Sequence, residues 1–247
     1  MCREGPNLSK FAIISDIHGN LTALEAVLND IAKRDVDQIF CLGDLVGKGP
    51  RGSECIALVK KYCDKVIYGN WEVFMRDEID NDVIKWMQSQ LTDEDYAYLA
   101  ALPFFIEFEL NGKLIRCFHA SPRSVFERIA PEYHSKEACL SLFDNSEETN
   151  SLHTDRTPDM VFYGDIHMTL LRSYDTKILC NVGSVGLDLV DATYVILDGS
   201  FGANAIQFVR VPYDRAAELQ AARELGMVGY EQYYEEIMYD EVMKAKQ

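Results

Sequence analysis

Five short apolar runs in this chain each end in a residue able to bind a hard metal ion. Residues 11–15 run into Asp16 and His18, 38–42 into Gly43 and Asp44, and 65–68 into Gly69, Asn70, Trp71 and Glu72. Residues 114–118 deliver His119, and 160–163 deliver Gly164, Asp165 and His167. Short apolar runs alternating with helical stretches indicate an open α/β sheet, where ligands bind outside the carboxyl ends of the strands. Five such ends would converge on one crevice. Oxygen and imidazole donors without cysteine suit Mn, Fe, Mg or Zn, and two neighbouring ions could share one carboxylate.

The chain between these points reads as strands alternating with helices, without an internal repeat. Leucines and isoleucine recur at helical spacing over 21–31 behind Asn20, a natural N-cap, and a second helix is expected over 52–62. Residues 72–100 are acidic and helical in character, a candidate lid, with a capping box from Thr92 to Asp95 and Pro103 just beyond. Segments 104–109 and 113–118 flank Asn111-Gly112, the signal for a hairpin closed by a type I′ turn. Residues 144–158 read as a surface loop. Further strands are expected near 177–180, 194–197 and 205–210, then a helical tail over 213–247 broken at Gly226 and Gly229. With no linker in sight, 1–247 reads as a single domain.

Composition excludes several functions. A net charge of −16 argues against a nucleic-acid partner, since no basic stripe offsets it. The same field means that a polyanionic substrate needs metal ions and local arginines to hold it. No segment approaches the roughly 20 apolar residues of a membrane span, and no signal-like stretch opens the chain. The seven cysteines lack CxxC spacing, and Cys41, Cys117 and Cys180 lie inside apolar runs. A reduced, cytoplasmic protein without a membrane partner is expected.

Asp16-x-His18, Gly43-Asp44-x-x-Gly47, Gly69-Asn70, His119 and Gly164-x-x-His167 together resemble the calcineurin-like metallophosphoesterase superfamily, over roughly residues 10–210. The resemblance implies a four-layer α/β/β/α sandwich of two mixed sheets flanked by helices, with a dinuclear metal centre. On the matching positions Asp16, His18, Asp44 and His167 would hold one ion, and Asp44, Asn70 and His119 the other. Mn or Fe is favoured, with Mg, Zn, Ni or Co admissible. The stretches 69–72 and 181–186 and the tail from Val211 look closest to bacterial asymmetric diadenosine tetraphosphate hydrolase-like members. The implied activity is cleavage of a nucleotide phosphoanhydride, such as diadenosine tetraphosphate, by a hydroxide shared between two ions. A general phosphodiesterase, a protein phosphatase and a metal-poor binding scaffold on the same fold are the alternatives; homodimerisation stays open.

Two positions depart from the superfamily pattern. Trp71 stands where a histidine would assist the leaving group, and Asp165 stands where a histidine would bind the second ion. Asp165 is still read as a ligand, since a carboxylate also binds hard ions. Arg123, four residues past His119, is the candidate phosphate grip, against an ordinary surface role. Trp71 could stack a base or simply pack. His134 and His153 read as surface histidines, and Tyr230, Tyr233, Tyr234 and Tyr239 as packing of the tail.

Overall fold

The computed structural model describes residues 9–149 and 155–239. Two mixed five-stranded sheets lie face to face. The first contains β1 (Lys10–Ile14), β2 (Gln38–Cys41), β3 (Lys65–Val66), β9 (Ala192–Asp198) and β10 (Ala205–Val211), in the order β10-β9-β1-β2-β3. The second contains β4 (Phe105–Leu110), β5 (Lys113–Phe118), β6 (Met160–Tyr163), β7 (Thr169–Tyr174) and β8 (Lys177–Val182), in the order β4-β5-β6-β8-β7. Strands β1, β2 and β3 run parallel, as do β5, β6 and β8, so their carboxyl ends share one rim of each sheet.

The period-2 alternation of β1 shows how the layers form. Phe11 and Ile13 enter the core between the sheets with Phe40, Phe162 and Val195, whereas Ala12 and Ile14 face the helices. That helical layer holds α1 (Leu21–Ile31), capped by Asn20 at the Ala23 N–H, and α2 (Gly52–Tyr62). Helices α3 (Asn70–Phe74), α4 (Asp82–Ser89) and α5 (Asp93–Ala100) fill the acidic segment, and Thr92 with Asp95 forms the expected capping box. Beyond the second sheet the cover is thin: α6 (Lys136–Leu140) and one short 3₁₀ turn pack over Phe118, Val161 and Tyr163.

The tail folds back as α7 (Arg215–Glu224) and α8 (Tyr230–Ile237), separated by Gly226 (φ 64°) and Gly229 (φ 85°). Its anchor is the fully buried Glu218, whose carboxylate accepts from Arg51, from the Thr22 hydroxyl at 2.8 Å and from the Tyr233 hydroxyl at 3.1 Å. A lone buried charge would cost several kcal/mol, so this set of partners locks the tail against the site loops. Asn111 (φ 51°) and Gly112 (φ 72°) supply the left-handed pair of the β4–β5 turn. Strand β7 lacked any expectation from sequence, and β3 is only two residues long. Residues 150–154 of the expected surface loop, with His153, and the end of the tail beyond 239 lie outside the described residues. No described helix is long and apolar enough to cross a membrane.

Candidate metal centre

The strand ends turn sharply. Asp16, His18, Asp44, Asp165 and His167 all have φ between 52° and 66°, five of the nine described non-glycine residues in the left-handed region. That backbone costs an L-residue roughly 1–2 kcal/mol, and it persists because neighbouring loops brace it. The Asp16 N–H donates to the Gly43 carbonyl at 3.0 Å and the His18 N–H to the Asp44 carbonyl at 2.8 Å. The β8–β9 connection supports Asp16 from below, through the Gly186 N–H and the Ser184 hydroxyl on the Asp16 carbonyl at 2.9 and 2.8 Å. A Cβ at Gly69 would run into the Asp44 carboxylate and the His119 ring, so glycine is required there.

Glu72, buried completely, accepts from the N–H groups of Gly69, Asp44 and Leu45 at 2.6, 2.7 and 2.8 Å. It ties the β2 and β3 loops into one unit. Burial first, then the Asp44 charge, pushes its carboxyl up to about 7 against those amide bonds.

The donor atoms form two clusters that meet in the middle. Asp16, His18 and His167 make one, and Asp16, Asp44 and His119 the other. Nε2 of His18 lies 3.0 Å from Nε2 of His167 and 3.6 Å from the Asp44 carboxylate. His167 Nε2 is 3.2 Å from Asp16, and His119 Nε2 is 3.4 Å from Asp44. Metal bonds of about 2.0–2.2 Å place neighbouring ligand atoms roughly 3.0–3.5 Å apart, a spacing these distances match closely enough for the clusters to hold an ion. The Asn70 amide lies 3.0 Å from His119 Nε2, and the Trp71 N–H donates to Asp44 at 2.9 Å. Nδ1 of His119 faces the Leu42 carbonyl at 2.8 Å, the second contact that leaves Nε2 aimed inward.

Electrostatics agree with that fit. Burial, then His167, holds the His18 imidazole well below its usual value, so it presents a lone pair. Burial opposes ionisation of Asp16, yet His167, His119 and His18 draw its carboxyl below the carboxylate range. Burial raises Asp44, partly countered by His119. His119 itself is penalised by burial but lifted by Asp44 to about 10, so the pair shares a proton at neutral pH. A cation between them would replace that proton. Asp, His and Asn donors of this kind fit a hard or borderline metal ion.

The remaining expected residues lie differently. Asp165 belongs to neither cluster. Its buried carboxylate is gripped by Arg128, with Nε at 3.0 Å and Nη2 at 2.9 Å, and Nη2 also donates to the Asp165 carbonyl. Arg123 turns away, onto Glu127 at 2.8 Å and onto the carbonyl and hydroxyl of Ser141. Trp71 does pack, over Gly47 and edge-on to the His18 ring at 5.8 Å, but it stays partly open. His134 is exposed, and Tyr233 is buried against the site loops.

Sequence reasoning missed Arg128. Its side chain is 62% exposed, and Nη1 has no partner among the described residues. The one signal available was a second arginine in the stretch after His119, in a chain with few cations near its metal motifs.

Residues 10–200 match the calcineurin-like phosphoesterase superfamily domain. An uncharacterized protein of Methanocaldococcus jannaschii is 32% identical over 204 residues, covering 78% of this chain and 76% of its own. The metallophosphoesterase structure from Sphaerobacter thermophilus superposes with a TM-score of 0.74 at 28% identity, over 92% of this chain and 98% of that one. A symmetrical bis(5'-nucleosyl)-tetraphosphatase of Psychromonas ingrahamii is 37% identical over 67 residues, 26% of this chain and 24% of its own.

Proposed function

The chain belongs to the calcineurin-like phosphoesterase superfamily, a family of metal-dependent hydrolases, and from that premise we propose that it cleaves nucleotide phosphoanhydrides, with dinucleoside polyphosphates as the substrate class. Asp16, His18, His167 and Asp44 would hold one ion, and Asp44, Asn70 and His119 a second, with Mn or Fe preferred. When bound, such ions neutralise phosphoryl oxygens and acidify a water molecule. The chain's own residues supply the rest.

The observation that carries the substrate reading is Trp71. Its indole stands beside His18 where the superfamily pattern has an imidazole, and indole donates no proton at neutral pH. General acid catalysis is typically worth about 10²–10⁴-fold and matters most when the leaving oxygen is strongly basic. A departing nucleoside phosphate needs no such proton; an alkoxide does. The partial similarity to a bis(5'-nucleosyl)-tetraphosphatase supports the same class. Arg128, aimed by Asp165, is better placed than Arg123 to donate to a phosphate, because its Nη1 donors are unused.

A leaving-group series tests the proposal. With Mn supplied, kcat/KM should fall from dinucleoside tetraphosphate through aryl phosphodiester to alkyl phosphate. A flat series, or phosphoserine peptides turned over faster than diadenosine tetraphosphate, would sink it.

A further inference from the structure

Next to the metal clusters, on the far side of Trp71, lies a cavity of about 190 Å³. It opens between α4 and the tail helix α8, two elements far apart in sequence. Trp71, Val83, Met87 and Met227 give it apolar walls, and Lys48, Asn81, Gln232 and Glu236 edge it. Trp71 therefore forms a wall of this cavity while its ring touches His18 of the metal cleft.

Three features restrict what fits. The volume is below the roughly 300 Å³ at which pockets for whole drug-sized ligands begin, so a single ring system fits and a nucleoside does not. An indole edge and two polarisable thioethers suit a flat, electron-rich ring. Polar groups sit at the edge: Asn81 spends its Oδ1 on capping α4, which leaves its amide N–H groups to donate. Lys48 marks the passage between cavity and cleft. Its left-handed backbone (φ 62°) brings Nζ to 5.7 Å from the Trp71 ring, while the ammonium pairs with Glu236 at 3.0 Å. Lys48 is the one cation among the residues lining the cavity, and an anionic group passing beneath it would compete with Glu236 for the ammonium.

We propose that this cavity is a nucleobase subsite, with the base against Trp71 and the ribose and phosphates leading past Lys48 to the metal clusters. The inference rests on the nucleotide reading above and adds the residues that would recognise the base. It also gives Trp71 a second task, as the shared wall between base and phosphate.

The test uses adenosine and inorganic phosphate as probes, in chelator, so that hydrolysis plays no part. In a Trp86→Phe background Trp71 is the sole indole of the two in the chain. Adenosine should quench its emission saturably and inorganic phosphate should not. In the unaltered protein adenosine should shift the Trp71 indole N–H resonance. Val83→Phe and Met227→Phe, which narrow the cavity from opposite elements, should each weaken adenosine binding at least about tenfold. No saturable adenosine response in the unaltered protein overturns the proposal. So does an equal response to phosphate, or adenosine binding within twofold of the parent in either folded variant. Failure of the hydrolase reading is a separate result: no turnover of diadenosine tetraphosphate with Mn, whatever adenosine does.

Discussion

The two walls of the metal cleft are built in opposite ways. One is helical and apolar: α3 and α4 meet the tail helix α8, and Trp71 is pressed against Gly47 and His18. The other is the loop between β5 and α6, where a largely exposed arginine bends onto Asp165. Between them the floor keeps every metal-binding residue of the superfamily pattern except one. Both departures from that pattern, Trp71 and Asp165, stand in the walls. The floor thus carries the chemistry of the family, and on the proposed reading the walls would set the substrate preference.

Removing the floor should abolish the contrast altogether. Asp44→Asn is expected to cost at least about 10³-fold in kcat for every substrate, anhydride or ester, since its carboxylate faces both clusters. Activity within tenfold of the parent, with metal content unchanged, would move Asp44 out of the centre. A change in the apolar wall should be selective instead. Trp71→His restores an imidazole beside His18 and should raise alkyl phosphate turnover by up to about 10²-fold, with no gain on dinucleotides, whose base would lose its wall. Equal gains on both would show that Trp71 acts by packing alone.

The polar wall should respond more evenly. Arg128→Ala removes charge-assisted hydrogen bonds worth about 1.5–3 kcal/mol, so kcat/KM should drop about 10–100-fold on all phosphate substrates. Arg123→Ala, whose guanidinium is held by Glu127 and Ser141, should stay within about threefold. The reverse ranking would return the phosphate grip to Arg123. Metal binding tests the floor again through pH. His119, lifted to about 10 by Asp44, must lose its proton to ligate. Below that value apparent Mn affinity should therefore rise with pH, about tenfold per unit for one proton. Calorimetry in buffers of different ionisation heat should find that proton released; none released would remove His119 from the ligands.

The floor was legible in sequence because each donor lies one to four residues past the end of its strand, so linear order already holds much of the geometry. The β4–β5 turn was legible through Asn111-Gly112, and α1 through its apolar spacing. Strand β7 was not, because it lies at a sheet edge with Arg172, Ser173 and Leu171 turned to solvent, leaving no alternation to read. Arg128 escaped for a different reason. Its partner Asp165 is 37 residues away, and no local rule links an arginine in a loop to a strand end. The cavity beside Trp71 likewise forms only when α8 returns to α4.

The left-handed turns at the strand ends have a consequence for durability. In chelator, where His167 serves no ligand role, its backbone at φ 56° is a burden and its imidazole is partly exposed. His167→Gly relieves roughly 1–2 kcal/mol of that conformation, gives back about 0.4–1 kcal/mol through a looser unfolded chain, and forfeits the contact of Nε2 with the buried Asp16 carboxylate at 3.2 Å. These contributions nearly cancel, so the melting temperature of the chelated protein should stay within about 2–4 °C of the parent. With Mn present a gap should open in the parent's favour, because only the parent binds the ion fully and gains the stability that binding confers. A screen for heat resistance run without divalent cations would thus fail to discard inactive proteins, and the same screen run with them would keep the active ones.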